Sequence, residues 1–247
     1  MSKLISKRSF LKGFAVATAG AAAAPLVHAK PGDPLPQKWD READVVILGY
    51  GGAGASAAIT AKDAGADVVI FEKCPQGGGN TAVSSGGMMI PNNRERAIEY
   101  LRKTYDFANS EKDDELLTAF VDEAMKSKDF LLSLAPDQKV YIYGHAGFQS
   151  IPESDAIDKW RFRTPKGQKT RGGDMLFNNY RYAVETVRKI PVVYNARGLE
   201  LITRNDEVLG AWIEIDGKKE AVKAKKAVVL ATGGYEFDDK MLSNHTM

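Results

Sequence analysis

The 247-residue sequence contains a single cysteine, Cys74, and three widely spaced histidines. One cysteine excludes an intrachain disulfide, and it also excludes the Cys-x-x-Cys-His attachment of a c-type haem. Neither residue type recurs at the short spacing that metal sites use, so no metal site is predicted. The fold must therefore be stabilised by packing, for which a chain of this length is ample.

Charge of one sign and long apolar runs are also scarce. The formal net charge is only +2, which does not favour a nucleic-acid partner. The one dense basic group, Lys223, Lys225 and Lys226, is interpreted as the solvated end of a strand pair. No stretch is long and apolar enough for a transmembrane helix of the mature protein, so no stable membrane span is predicted.

The first 29 residues have the three parts of an export signal. A basic segment at 6–12 precedes an apolar run at 14–27, and residues 27–29 offer compact side chains around a cleavage site. The basic segment resembles a twin-arginine signal, with Lys7 in place of the first arginine. We expect a signal peptide at 1–29, a linker at 30–42 and a mature domain at 43–247, exported to the periplasm or another extracytoplasmic location. The alternative, an amphipathic first helix, needs a polar face that the run does not have.

A strand, a glycine turn, a helix, a second strand and an acid follow one another early in the chain. Residues 44–48 and 67–71 are short apolar runs, and an alanine-rich helical segment at 55–64 lies between them, closed by Gly65. The turn at 49–54 is glycine-rich, and the second run ends in Glu72. This order predicts an α/β, Rossmann-like FAD/NAD(P)-binding domain with a parallel sheet.

The glycines and the acid of this unit each have a physical task. Gly49 permits the tight turn, Gly51 lets the backbone approach a pyrophosphate, and Gly54 lets the helix pack close to the strand. The helix N-terminus presents free N–H groups to the phosphates. The carboxylate of Glu72 can accept hydrogen bonds from both ribose hydroxyls, which favours FAD or NAD over NADP.

Two further features favour FAD over NAD. Glycine clusters at 77–81 and 84–89 bracket small polar side chains where an NAD-binding domain would normally continue with a strand and a helix; bare backbone of this kind can lie flat against a planar ring. A flexible glycine linker is the alternative interpretation. Later, strand-like segments at 191–195, 199–203, 208–215 and 220–224 predict an added β-hairpin that turns at Asp216-Gly217, and a buried strand at 227–231 ends in Thr232-Gly233-Gly234.

Between these features the pattern predicts helices at 94–109, 113–134 and 175–188, a short strand at 140–144, and a long surface connection at 148–171. The inner face of the second helix is assigned to Leu116, Phe120, Ala124 and Leu131. His145 is placed in a loop, where a plain loop histidine is the preferred interpretation and a catalytic histidine is the alternative. The Cys74 thiolate could be favoured by Lys73, although packing beside the nucleotide is the preferred interpretation.

Together these motifs resemble the FAD-dependent fumarate reductase/succinate dehydrogenase flavoprotein superfamily, over about residues 43–235. The resemblance implies that Glu72 binds the adenosine ribose, that Ala53 gives a backbone contact, and that Gly198 meets the adenine. It implies a flavin site built from these residues as a set: Gly49, Gly51, Gly52, Ala53, Gly54, Glu72, Lys73, Gly79, Asn80, Thr81, Ser85, Gly86, Gly87, Gly198, Thr232, Gly233 and Gly234.

Asn80 departs from the family pattern and indicates how the flavin is held. Quinone-linked members carry a flavin-bonding histidine where this chain has Asn80, so the chain resembles the soluble branch with non-covalent FAD, which includes fumarate and urocanate reductases and 3-ketosteroid dehydrogenases. The resemblance implies reduction of an activated C=C bond of an enoate-type substrate by hydride from flavin N5, with an external cytochrome or flavoprotein donor. It also implies that the capping domain with the catalytic acid lies beyond residue 247, so no catalytic residue is assigned. A ketosteroid-like dehydrogenase, a non-catalytic FAD-binding fragment and an NAD-linked dehydrogenase stay open as alternatives.

Overall fold

The computed structural model describes residues 35–108, 111, 113–134, 139–163, 172–236 and 238–245. The predicted signal peptide and most of the predicted linker lie outside these residues. By its internal contacts, the segment Leu35–Met247 is one unit.

The chain begins its sheet with the predicted βαβ unit. Strand β1 is Arg41–Leu48, helix α1 is Gly52–Asp63 and strand β2 is Val68–Phe71, and the two strands pair in parallel. The helix ends beside Ala64 and Gly65, and Gly65 has a positive φ of 84°. Such a glycine after the last helical residue is a common helix stop. The order predicted from the sequence is confirmed.

The main sheet has six strands in the order β6-β2-β1-β9-β8-β7. The later strands are β6 (Val192–Val193), β7 (Ala196–Arg204), β8 (Glu207–Ile215) and β9 (Lys218–Leu230). Strands β6, β2, β1 and β9 run parallel, whereas β9, β8 and β7 form an antiparallel meander. The prediction of separate strands at 220–224 and 227–231 was wrong: β9 is one strand that pairs with β8 in its first half and with β1 further along.

Alternation along β1 explains why both faces of this sheet are covered. Val45 and Ile47 belong to a cluster with α1 and a later helix, while Val46 and Leu48 belong to a second cluster with the meander. Because successive strand residues point to opposite faces, a continuous apolar run buries both. Each such side chain contributes about 1.5–3 kcal/mol by its burial.

A second sheet of three strands stands apart from the first, in the order β3-β5-β4. Its strands are β3 (Met88–Pro91), β4 (Val140–His145) and β5 (Ile157–Phe162), all paired antiparallel. The predicted strand at 140–144 is confirmed. The predicted surface connection at 148–171 was wrong, because β5 lies inside it and buries Phe162 against the main core. His145 is therefore the end of a strand and not a loop residue.

The helices complete the frame. They are α2 (Gly79–Val83), α3 (Arg94–Phe107), α4 (Asp114–Leu134), α5 (Gly172–Arg181), followed by the π-helical turn Tyr182–Val187, and α6 (Asp239–His245). The predicted inner face of α4 was wrong for Leu116 and Phe120, which are exposed. The buried stripe is shifted by one residue, to Leu117 and Val121. Phe120 and its neighbours repeat at helical spacing on either face, so periodicity alone could not choose between them.

Candidate functional site

The glycine turn at the carboxyl end of β1 is closed by the ends of the strands on both sides. The N–H of Gly49 donates to the carbonyl of Phe71 at 2.8 Å, and the N–H of Ala231 donates to the carbonyl of Leu48 at 2.8 Å. Gly49 has a φ of +102°, and a Cβ at this position would collide with the carbonyl oxygen of Ala231. The predicted need for glycine at the tight turn is therefore confirmed, and its cause is the backbone of the residue that directly follows β9.

The N-terminus of α1 follows the turn directly. A Cβ on Gly54 would collide with the carbonyl oxygen of Gly49, which confirms the close approach of helix to strand. A Cβ on Gly51, by contrast, would meet nothing nearer than the carbonyl oxygen of Gly78 at 3.6 Å. The first turn of the helix contains no acidic residue, and Gly51 caps it without a side-chain hydrogen bond. This end thus offers N–H groups, partial positive charge and open space, as a phosphate requires.

Glu72 is fixed against this turn. Its side chain is buried, with 8% of the residue exposed, and its two carboxylate oxygens accept the N–H of Tyr50 at 2.7 Å and the N–H of Cys74 at 2.9 Å. Hydrogen bonds from backbone N–H groups hold a carboxylate in one orientation while leaving further lone pairs for a ligand. Glu72 therefore stands at the glycine turn, as the motif predicts.

The neighbours of Glu72 differ in exposure. Lys73 is exposed, whereas Cys74 is partly buried. Burial raises the pKa of the Cys74 thiol, the negative charge of Glu72 raises it further, and Lys73 opposes both more weakly. The suggestion that Lys73 favours a thiolate is thus wrong, because burial and a nearer carboxylate outweigh the lysine.

Helix α2 lies beside the N-terminus of α1. The N–H of Gly78 donates to the carbonyl of Tyr50 at 2.7 Å, and the hydroxyl of Thr81 accepts the N–H of Gly52 at 2.9 Å. Gly79 and Asn80 are exposed in the same segment, and Ala53 is exposed on α1. The structure therefore brings the first glycine cluster of the sequence up to the glycine turn.

The second glycine cluster is walled by residues from far along the chain. Gly86 has a φ of +69°, and a Cβ there would collide with the backbone of Gly172. A Cβ on Gly87 would collide with the hydroxyl of Tyr143 and would lie 3.5 Å from the Ser85 hydroxyl oxygen. The loop Ser85, Gly86 and Gly87 is thus held between the start of α5 and the small sheet.

The remaining predicted residues also converge on the carboxyl ends of the parallel strands. A Cβ on Gly198 would lie 3.0 Å from the side chain of Leu48, next to the turn. Two residues earlier, the N–H of Ala196 donates to the carbonyl of Glu72 at 2.8 Å. Residues Thr232, Gly233 and Gly234 are exposed directly after β9. Ligands of open α/β sheets bind at this edge.

Three residues at the site were given no role in the sequence analysis, although Tyr50 lies within the glycine turn itself. Tyr50 is fully buried, and burial raises the pKa of its hydroxyl. Tyr143 and Arg161 come from the small sheet, and the guanidinium of Arg161 stacks on the Tyr143 ring at 4.3 Å from the ring centroid. No local signal could have found Tyr143 and Arg161, since only the pairing of β4 with β5 brings them together.

Other polar groups lie elsewhere. His145 and Asn92 both contact the buried carboxylate of Asp158, through Nδ1 at 3.1 Å and Nδ2 at 3.0 Å, toward the other end of β5 from Arg161. Within the described ranges there is no cluster of side chains that could hold a metal ion. Nor does this part of the chain include a helix with the length and hydropathy of a membrane span.

These features define a nucleotide-binding α/β domain whose turn, acid and glycine loop suit a flavin dinucleotide. The model of the FAD binding domain family matches residues 44–247. The chain belongs to this family, and FAD is its cofactor.

The relatives of known activity point in two chemical directions. The chain is similar to a fumarate reductase (cytochrome) of Shewanella frigidimarina, with 32% identity over 81% of this chain and 34% of that one. It is similar to a 3-oxosteroid 1-dehydrogenase of Mycobacterium tuberculosis, with 32% identity over 81% of this chain and 49% of that one. Among solved structures, a 3-ketosteroid-delta4-(5alpha)-dehydrogenase of Rhodococcus jostii RHA1 matches with a TM-score of 0.69 and 28% identity, over 85% of this chain and 49% of that one. The chain thus spans about half the length of these proteins or less.

Proposed function

We propose that this chain binds FAD without a covalent bond, as the flavin-binding domain of an oxidoreductase that reduces an activated carbon–carbon double bond. The observation that carries the proposal is the anchoring of Glu72 to the glycine turn through the N–H of Tyr50, at 2.7 Å. This bond sets a ribose acceptor beside a helix N-terminus that has no acidic residue in its first turn. The two halves of a dinucleotide site are thereby held in one geometry.

The residues would divide the work along the cofactor. The N–H groups at the start of α1 would bind the pyrophosphate, and Glu72 would orient the adenosine ribose. The bare backbone of Gly86 and Gly87 would face the ring system, with Tyr143 behind it to exclude water. When bound, FAD supplies the hydride that reduction of a double bond requires.

The non-covalent part of the proposal rests on Asn80. A carboxamide has no nucleophilic lone pair of the kind that an imidazole uses to bond the flavin, and Asn80 is exposed on α2 beside the glycine turn. Chain loaded with FAD should release all of its flavin to the supernatant on acid precipitation. Flavin that stays in the pellet would refute a non-covalent site, and a chain that takes up no FAD would refute the whole proposal.

The direction of the chemistry separates the two candidate reactions. The similarity to a 3-oxosteroid 1-dehydrogenase favours steroid oxidation as the second candidate. Under anaerobic conditions, fumarate should reoxidise the chemically reduced flavin, whereas a 3-ketosteroid should not reduce the oxidised flavin. The reverse pattern would establish the dehydrogenase. An external electron donor belongs to the first reaction, as the similarity to a fumarate reductase (cytochrome) suggests.

Export is proposed from the sequence of residues 1–29, with a linker to residue 42 and the mature domain from residue 43. A reporter protein fused after Lys30 should leave the cytoplasm only in cells with a working twin-arginine system. Restoring arginine by Lys7→Arg should maintain or improve transport. Export that needs the general secretory route instead would contradict this assignment.

A further inference from the structure

One face of the small sheet is cationic and aromatic. Alternation along β5 places Trp160 and Phe162 against the main core, and it leaves Lys159, Arg161 and Arg163 on the other face. On that face Arg161 lies over the ring of Tyr143, and Arg163 lies over the ring of Tyr141, at 4.3 Å and 4.7 Å from the ring centroids. Cations on aromatic faces keep their positive charge available for an anion.

Arg161 differs from Arg94 and Arg188 in having no anionic partner among the described residues. Arg94 and Arg188 each hold a carboxylate with two hydrogen bonds. The Nε atom of Arg161 is buried and has no hydrogen-bond acceptor in the described part of the chain, and the Nε atom of Arg181 is likewise buried there without an acceptor. A buried guanidinium N–H without an acceptor is costly, and such groups in native proteins are usually satisfied by a ligand, water or ion.

The position of Arg161 joins it to the flavin-side loop. Its Nε atom lies 3.2 Å from the place where a Cβ of Gly172 would stand, and that same place abuts the carbonyl of Ser85. Tyr143, under the guanidinium, has its hydroxyl against Gly87. The unpaired cation therefore borders the loop of Ser85, Gly86 and Gly87.

We propose that Arg161, positioned by Tyr143, binds the carboxylate of an organic-anion substrate beside the ring system of the cofactor. The proposal rests on the proposed function and deepens it, because it selects an unsaturated carboxylate over a neutral substrate. The planar guanidinium matches the two oxygens of a carboxylate, and stacking on Tyr143 keeps the plane fixed. A neutral carbonyl compound would leave the charge of Arg161 without an opposite charge.

The test measures binding of fumarate to the FAD-loaded chain by titration calorimetry and by the change in the flavin absorption spectrum. Fumaramide serves as the neutral probe. Arg161→Gln should weaken fumarate binding about tenfold or more, the loss expected for a charge-assisted hydrogen bond, and should leave fumaramide unchanged. The affinity of the Arg161→Lys variant for fumarate should lie between those of the wild-type chain and the glutamine variant, since lysine keeps the charge without the planar pair of donors.

The matched control is Arg163→Gln, which removes the neighbouring cation–tyrosine pair on the same strand and face. Because Arg163 is exposed and solvent screens its charge, its loss should change fumarate binding by about twofold at most. The inference is overturned if chain with a normal flavin spectrum does not bind fumarate, or if both glutamine variants weaken binding equally. Failure of the wild-type chain to take up FAD would instead refute the proposed function. Flavin spectra and circular dichroism of each variant show that it is folded.

Discussion

The two glycine segments of the site are walled in different ways. At the turn after β1, a side chain at Gly49 would strike the backbone of Ala231, which directly follows the central strand β9 and donates its N–H to the carbonyl of Leu48. At the loop of Ser85, Gly86 and Gly87, a side chain at Gly87 would strike the hydroxyl of Tyr143, the tip of a side chain, although a side chain at Gly86 would strike the backbone of Gly172. Backbone in a paired sheet cannot move away without breaking hydrogen bonds, whereas a tyrosine can change rotamer.

This difference separates a fixed part of the site from an adaptable part. The glycine turn after β1 lies among strands β1, β2 and β9 of one sheet, so the pairing of these strands fixes its geometry. The loop of Ser85, Gly86 and Gly87 lies between the small sheet and the start of α5, and it is bounded by the backbone of Gly172 at Gly86 but by the side chain of Tyr143 at Gly87. We expect substrate specificity to be easier to change in this adaptable part, because substitutions at Gly87 or Tyr143 do not disturb the six-stranded sheet.

The largest expected effect is at the fixed end. Gly49→Ala adds both backbone strain and a collision with Ala231, and it should lower the free energy of unfolding by about 3–5 kcal/mol. Gly65→Ala is the matched control, because Gly65 also has a positive φ but has no atom within 4 Å of its Cβ position. The Gly65→Ala variant should lose only the free energy that the backbone strain costs, about 1–2 kcal/mol. Urea denaturation measures the free energy of unfolding of both variants, and equal losses would show that the collision with the Ala231 backbone has no effect.

An intermediate effect is expected on the cofactor. Glu72→Ala removes the ribose acceptor and should weaken FAD binding by about 1.5–3 kcal/mol, the range for hydrogen bonds to a charged group. Glu42→Ala is the control, since Glu42 is an exposed carboxylate on β1 that pairs with Lys225 at 3.2 Å. Exposed ion pairs contribute little, so FAD binding should not change. Titration of the apoprotein with FAD distinguishes these results, and unchanged affinity for the Glu72 variant would place the ribose elsewhere.

The smallest effect is expected at the adaptable end. Gly87→Ala should lower the free energy of unfolding by about 1 kcal/mol, because Tyr143 must shift to admit the methyl group. Adding Tyr143→Phe removes the hydroxyl that collides and should restore most of the loss. Thermal unfolding of the two single variants and the double variant gives the coupling between the two positions. Independent, additive losses would mean that backbone, and not Tyr143, forms this wall.

The sequence alone predicts the fixed end well. The turn, the helix and Glu72 lie within 30 residues of one another, so spacing and local chemistry are enough to place them, and the structure confirms the order of elements. The segment after β9 could also be placed from the buried apolar run before it, whereas Gly198 was placed by the family resemblance alone.

The adaptable end could not be predicted in the same way. Strand β5 carries charged residues on one face and an aspartate on the other, so it lacks the clean alternation that indicates a strand. Tyr143 and Arg161 come together only through pairing between β4 and β5. Such contacts depend on which strands pair with each other, and the local pattern of a single sequence does not indicate the pairing of distant strands.

The pairing of β1 with β9 also sets the order of events during synthesis. The N–H of Ala221 donates to the carboxylate of Asp40 at 2.9 Å, across a separation of 181 residues. Contacts this distant in sequence close large loops and form slowly. Strand β1 is synthesised long before β9, so the edge of β1 that pairs with β9 stays uncovered until β9 has been made. Because Ala231 follows β9 and closes the turn at Gly49, we expect capture of FAD to be a late step of folding that follows insertion of β9.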